Sequence, residues 1–77
     1  MDTAKAKFGR RLRQLRRQRD LTQEQLVEIA AISVDLVSNI ERGINAPSFE
    51  TLERLAAALT VQIKELFDFG PERGGSK

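Results

Sequence analysis

The residues with the clearest chemical use in this 77-residue sequence are the basic side chains of its first quarter. Residues 1–19 hold eight Lys or Arg residues against the single acid Asp2, whereas the rest of the chain holds five against ten acids. A concentrated positive segment attracts polyanions such as nucleic acid or an anionic membrane surface. A solvated helix face is the alternative interpretation, and charge alone does not choose between the two.

Other kinds of chemistry find little support in the composition. The chain has no His and no Cys, which removes disulfides, thiolate chemistry, the usual zinc sites and His-based acid or base catalysis. We therefore expect neither an enzyme nor a metal or cofactor site. No segment approaches the roughly 18 apolar residues that a membrane span needs, so we expect a cytoplasmic protein.

Helical periodicity recurs along the chain, and no segment shows the alternation of a strand. Phe8, Leu12 and Leu15 share one helix face and predict a first helix from about Thr3 to Arg19. Thr22-Gln23-Glu24-Gln25 has the pattern of a capping box, which begins a second helix that turns Leu26 and Ile29 inward. Ser33 is suited to cap a third helix, from Val34 to about Arg42.

The second half of the chain predicts two more helices. Gly43 supplies a helix stop where φ can be positive, and Ser48 is suited to cap a fourth helix. Helical spacing places the apolar residues of that helix on one inward face, opposite Glu50, Glu53 and Arg54: Phe49, Leu52, Leu55, Ala56 and Leu59. Residues from Val61 to about Phe67 predict a fifth helix. One domain is assigned to residues 1–69, and the Gly-rich tail GPERGGSK, residues 70–77, is expected to be disordered.

Only about three residues join the second helix to the third, a connection typical of a helix-turn-helix, here at about residues 22–42. The segments FGRRLRQLRRQRDLTQEQL, ISVDLVSNIERG and APSFETLERLAAAL followed by ELF resemble the phage-repressor and Cro type (XRE-like) family of helix-turn-helix DNA-binding domains. The resemblance covers about Phe8 to Phe67. It implies an all-α, compact five-helix repressor-like domain.

The resemblance also implies roles for three residues outside the outer face of the third helix. In the family, a Gln at the position of Gln23 binds a DNA phosphate, and the positive end of a helix suits an anion there. The alternative is that Gln23 is a solvated first-turn residue. Arg16 and Glu41 match an ion pair between the first and third helices, which would fix the angle of the third helix.

For the third helix, the family pattern buries Ile32, Val37 and Ile40. The positions that it turns outward to varying degrees are Ser33, Val34, Asp35, Leu36, Ser38 and Asn39. Hydroxyl and amide side chains in this set can bond base edges or phosphate, and the aliphatic ones can contact thymine methyl groups. Asp35 can only accept hydrogen bonds, so it suits a cytosine amino group and is repelled by phosphates.

Positive charge must come from outside this face, because most sequence-independent affinity for DNA comes from neutralised phosphates. We expect Arg42 and some arginines of the first helix to supply it. Ala31, Asp20 and Thr60 stand where glycines are frequent in the family. A non-Gly residue in the left-handed region costs roughly 1 kcal/mol.

Four apolar residues are predicted to form a dimer interface: Ile44, Ile63, Phe67 and Phe69. The alternative is that Ile63 and Phe67 complete the core of the monomer. A two-fold dimer would place two third helices on half-sites about 34 Å apart on double-stranded DNA.

The sequence therefore predicts a sequence-specific, DNA-binding transcriptional regulator. We expect a homodimeric repressor or controller protein that acts on a pseudo-palindromic operator, is nucleoid-associated in the cytoplasm and has no small-molecule effector. The alternative is a protein-interaction module, either antitoxin-like or with a helix-turn-helix surface that has drifted from DNA binding.

Overall fold

The computed structural model describes residues 2–70, which fold into five helices with no strand among them. The helices are α1 (Ala4–Gln18), α2 (Gln23–Ala30), α3 (Val34–Glu41), α4 (Phe49–Leu59) and α5 (Ile63–Leu66). The predicted all-α, five-helix fold is confirmed. Residues 71–77 of the tail that we expected to be disordered lie outside the described residues. Within residues 2–70, none of the helices has the length and apolar character that crossing a membrane requires.

Hydroxyl side chains begin four of the five helices. Thr3, Thr22, Ser33 and Ser48 each accept a hydrogen bond from the backbone N–H three residues later. At Thr22 the capping box is complete, because the Thr22 backbone N–H also donates to Gln25 Oε1 at 2.8 Å. These bonds satisfy N–H groups that have no partner inside the helix, and they fix where each helix starts.

Helices α1, α2 and α4 are each followed by a non-glycine residue in the left-handed backbone conformation. Ala31 (φ 60°) and Thr60 (φ 59°) are the C-caps of α2 and α4, and Asp20 (φ 55°) follows α1. Because Thr60 ends α4 and Gln62 caps α5, the fifth helix begins at Ile63, two residues later than the sequence indicated. The short turn between α2 and α3 thus forms with Ala31 in the position where the family usually has a glycine.

The core draws on every helix. Its fully buried side chains are Leu12, Leu26, Val37, Ile40, Leu55, Leu59 and Leu66. Helix α3 packs against α1 and α2, α4 packs against α2, and α5 packs against α1 and α4. The core therefore holds α3 from two sides and leaves its remaining face to solvent.

Two residues that the periodicity placed inward lie at the surface. Ile29 is 57% exposed and Phe49 is 87% exposed, so both predictions are wrong. In α2 the buried positions are Leu26 and Ala30, four residues apart, and Ile29 lies at the side of that face. Phe49 is the first residue of α4, beyond the edge of the core, and Thr51 in the next half-turn is buried instead.

Candidate nucleic-acid interface

Helices α1 and α3 meet at Gly9, a contact that was not predicted from the sequence. Gly9 is buried, and a Cβ atom there would lie 2.8 Å from the carbonyl oxygen of Glu41 and closer still to that of Ile40. Only a glycine allows α3 this close to α1. The available signal was a glycine in the middle of a strong helical pattern, where it costs about 1 kcal/mol relative to Ala and needs a packing reason.

Beside this contact, the guanidinium of Arg16 and the carboxylate of Glu41 form a two-bond ion pair. Arg16 Nε lies 2.7 Å from Glu41 Oε2 and Nη2 lies 3.0 Å from Oε1, while Nη1 donates to the Leu21 carbonyl at 2.7 Å. The two side chains are 10% and 4% exposed. The hydrogen bond to Glu41 raises the pKa of Arg16 above its ordinary value. The pair joins the C-terminal ends of α1 and α3.

The side chain of Gln23 joins the same carboxylate. Gln23 Nε2 donates to Glu41 Oε1 at 3.1 Å, so Glu41 connects the N-terminus of α2 to α1 and α3. The sequence did not predict this bond. A Gln amide nitrogen carries two hydrogens, which leaves one for a further acceptor. Gln23 is half-buried, and it is held at the positive end of α2, where an anion is stabilised.

The outward face of α3 is neutral or acidic. Ser33, Val34 and Asp35 are exposed, and Ser38 and Asn39 are half-buried. Val34 and Ser38, like Asp35 and Asn39, are four residues apart and therefore lie on neighbouring rows of one helix face. These five predicted contact residues are thus together on one surface.

Two neighbours of that face belong to the core instead. Leu36 and Ile32 are half-buried and pack against the core cluster. Leu36, which the family pattern turned outward, therefore contributes to holding α3 in place. Its backbone N–H also donates to the Ser33 hydroxyl oxygen at 3.1 Å, which closes the first turn of α3.

Several basic side chains donate hydrogen bonds to backbone carbonyls of the domain. Arg11 Nε donates to the Glu65 carbonyl of α5 at 2.8 Å, and Arg19 Nε donates to the Leu59 carbonyl at the end of α4. Together with Arg16 on Leu21, three arginines of α1 and its C-cap hold other parts of the domain. Carbonyls at helix C-termini lack partners within the helix and favour cations, which explains the bonds to Leu59 and Glu65.

Arg42 differs from these arginines. It is the C-cap of α3, it is exposed, and no hydrogen bond or ion pair to another side chain is present for it within residues 2–70. Its charge therefore remains available at the end of the helix that carries the predicted contact residues.

The four residues of the predicted dimer interface are all exposed. The alternative that Ile63 and Phe67 complete the core is wrong, because Leu66 is the side chain of α5 that is fully buried. The Phe67 ring lies on the rim, 5.2 Å from the Phe8 ring and 6.2 Å from the Phe69 ring between centroids. Ile44 lies in the loop after α3. An apolar surface thus borders the core at α5.

Comparison with known proteins agrees with this geometry. Residues 7–67 match the family model described as "Helix-turn-helix domain". The immunity repressor protein of Bacillus phage phi105 is 41% identical over 58 residues, which cover 75% of this chain and 40% of that protein. The control protein C.BamHI of Bacillus amyloliquefaciens is 36% identical over 63 residues, which cover 80% of this chain and 78% of that protein.

A solved structure shows the same arrangement of helices. The crystal structure of the restriction-modification controller protein C.AhdI from Aeromonas hydrophila superposes with a TM-score of 0.80 at 38% identity, covering 82% of this chain and 96% of that one. This chain therefore spans nearly all of one relative but less than half of the phage repressor. The family match extends over most of the chain, and the chain belongs to the helix-turn-helix domain family.

Proposed function

We propose that this chain is a DNA-binding transcriptional regulator in which α3 enters the major groove and reads base edges. The observation that carries the proposal is the set of five contact residues on the outward face of α3, in a helix whose inward face is fixed by the core and by Glu41. A helix presented in this way, with small polar side chains near its N-terminus, is what a major groove accommodates.

In this proposal the contact residues have different roles. Ser33, Ser38 and Asn39 bond base edges or nearby phosphates, and Val34 contacts a thymine methyl group. Asp35 accepts from a cytosine amino group.

Phosphates are bound at the two ends of the helix-turn-helix. Gln23 donates its second amide hydrogen to one phosphate at the start of α2, and Arg42 neutralises another at the end of α3. Because Glu41 holds both Arg16 and Gln23, it fixes the position of the phosphate donor relative to α3.

We further propose that the regulator is a homodimer that acts as a repressor or controller on a pseudo-palindromic operator. Ile44, Ile63, Phe67 and Phe69 support this, because all four are exposed and the Phe67 and Phe69 rings lie together. Exposed apolar surface favours association. The names of the phi105 repressor and of the C.BamHI control protein support the regulatory class.

The dimer is tested by sedimentation equilibrium of Ile63→Ser beside Phe49→Ser. Both changes remove an exposed apolar side chain, but only Ile63 belongs to the proposed interface. We expect dissociation to monomers for Ile63→Ser and no change for Phe49→Ser. A dimer that is equally stable in both variants would contradict this interface.

DNA binding is tested by titrating a labelled duplex from the DNA upstream of the chain's own gene, at several salt concentrations, beside a shuffled duplex. We expect tighter binding to the natural duplex and an affinity that falls with salt, with a logarithmic slope of about −0.9 for each phosphate neutralised. No binding at low salt by the folded protein would contradict the proposal and favour a protein-interaction module.

A further inference from the structure

Two arginines of α1, Arg13 and Arg17, differ from their neighbours because no group of the described residues holds them. Arg10 forms an ion pair with Asp2 at 2.6 Å. Arg11, Arg16 and Arg19 donate to backbone carbonyls. Arg13 and Arg17 are exposed, and neither has a hydrogen bond or ion pair to another side chain within residues 2–70. The fold therefore does not use their charge.

Their position follows from the contact between α1 and α3. Arg13 comes four residues after Gly9 and three before Arg16, and both of these residues contact the C-terminal end of α3. Residues three and four apart are neighbours on a helix surface, so Arg13 leaves α1 along the edge that borders α3. Arg17 continues the same row one turn later, and Arg42 follows Glu41 on the α3 side of the contact.

The charge of α3 shows why cations beside it would matter for DNA binding. Helix α3 contains two acids, Asp35 and Glu41, and no Lys or Arg. A duplex that enters against this helix gains little attraction from it, so the phosphates beside the groove must be neutralised by side chains at its border. Arginine suits that role because its guanidinium matches a phosphate with two parallel hydrogen bonds.

We propose that Arg13 and Arg17 bind the phosphate backbone of the duplex and extend the DNA contact from α3 onto α1. This inference rests on the proposed function. The contact is independent of base sequence, so it adds affinity for every duplex and leaves the preference among duplexes to α3.

The test measures how the affinity of full-length Arg13→Gln and Arg17→Gln depends on salt, for the natural and the shuffled duplex. Each variant should reduce the magnitude of the slope by about 0.9. Between 50 and 200 mM salt, each should then lose about threefold less affinity than the unchanged protein loses. The ratio between the two duplexes should stay the same. Circular dichroism melting checks that both variants remain folded.

The matched control is Lys64→Gln, which removes an exposed cation of α5 and should leave the slope unchanged. If both arginine variants keep the slope of the unchanged protein, the inference is overturned while the proposed function stands. An equal reduction of the slope in Lys64→Gln also overturns it, because the effect would then reflect net charge. If the unchanged protein binds no duplex, the proposed function fails as well.

Discussion

The inward and the outward face of α3 differ in how firmly their side chains are held. On the inward face, Val37 and Ile40 are completely buried, and the backbone approaches α1 so closely that Gly9 has no room for a side chain. On the outward face, Val34 and Asp35 are exposed. In this eight-residue helix, packing therefore restricts which residues can occupy the inward face but not which can occupy the outward face.

This difference explains how a helix without basic residues can serve as the proposed DNA-reading element. Residues of the inward face can hardly change without cost to folding, since each touches neighbours at contact distance. Residues of the outward face can change at little cost, so their identity is open to selection by the ligand. Glu41 connects α3 to α1 and to the proposed phosphate donor Gln23, because one carboxylate accepts from both Arg16 and Gln23.

The largest effect is expected for Arg16→Ala, which leaves Glu41 buried without its guanidinium and the Leu21 carbonyl without its donor. Removing one partner of a buried ion pair costs about 3 kcal/mol, and α3 should lose its fixed angle, which weakens DNA binding. Urea denaturation and the duplex titration measure both effects. Arg17→Ala is the control for stability, because Arg17 is exposed and should change it by less than about 0.5 kcal/mol. Unchanged stability and DNA affinity in Arg16→Ala would contradict the claim that the ion pair with Glu41 fixes the inward side of α3.

A smaller loss of stability is expected for Gly9→Ala, although helix propensity alone would predict a gain. In an open helix, this change stabilises by about 1 kcal/mol. Here the new Cβ meets the carbonyls of Ile40 and Glu41, and overpacking of this kind costs about 1 to 3 kcal/mol, so we expect a net loss of stability. Gln14→Ala, on the exposed side of α1, is the control and should not lose stability. A melting temperature for Gly9→Ala above that of the unchanged protein would contradict the close contact of α1 with α3.

The smallest effect on stability is expected for Asp35→Asn, on the outward face. Asp35 lies in the first turn of α3, where a negative charge contributes a few tenths of a kcal/mol, so the protein should remain folded and almost as stable. The base preferred opposite this position should change, which binding to a set of duplexes with single substitutions measures. Equal tightening for all duplexes would mean that Asp35 only repels phosphates, and an unaltered affinity for every duplex would remove it from the interface.

The features that the sequence predicted well depend on residues close together in the chain. A helix cap needs a hydroxyl and an N–H three residues later, so Thr22, Ser33 and Ser48 could be assigned without knowledge of the fold. The buried positions of α1 followed from periodicity, and the left-handed conformations of Ala31 and Thr60 followed from the family pattern. All of these are local properties, which can be predicted from a few neighbouring residues or from a family motif.

The features that it did not predict depend on which helices meet. Arg11 binds a carbonyl 54 residues away and Arg19 one 40 residues away, so neither bond has a signature in the neighbouring sequence. The bond from Gln23 to Glu41 likewise joins residues 18 positions apart. Gly9 had a local signal, a glycine inside a helical pattern, but that signal does not say which helix it contacts. Periodicity also leaves the edges of a buried face undefined, which is why Ile29 and Phe49 were placed inward.

The most direct test of the central claim, that the outward face of α3 reads DNA, is an NMR titration of the 15N-labelled protein with its preferred duplex. Backbone amides of Ser33 to Asn39 and the side-chain amide of Gln23 should shift strongly, while the amide of the buried Leu55 in α4 should stay unchanged. Shifts confined to the surface around Ile63 and Phe67, with α3 unaffected, would contradict the account.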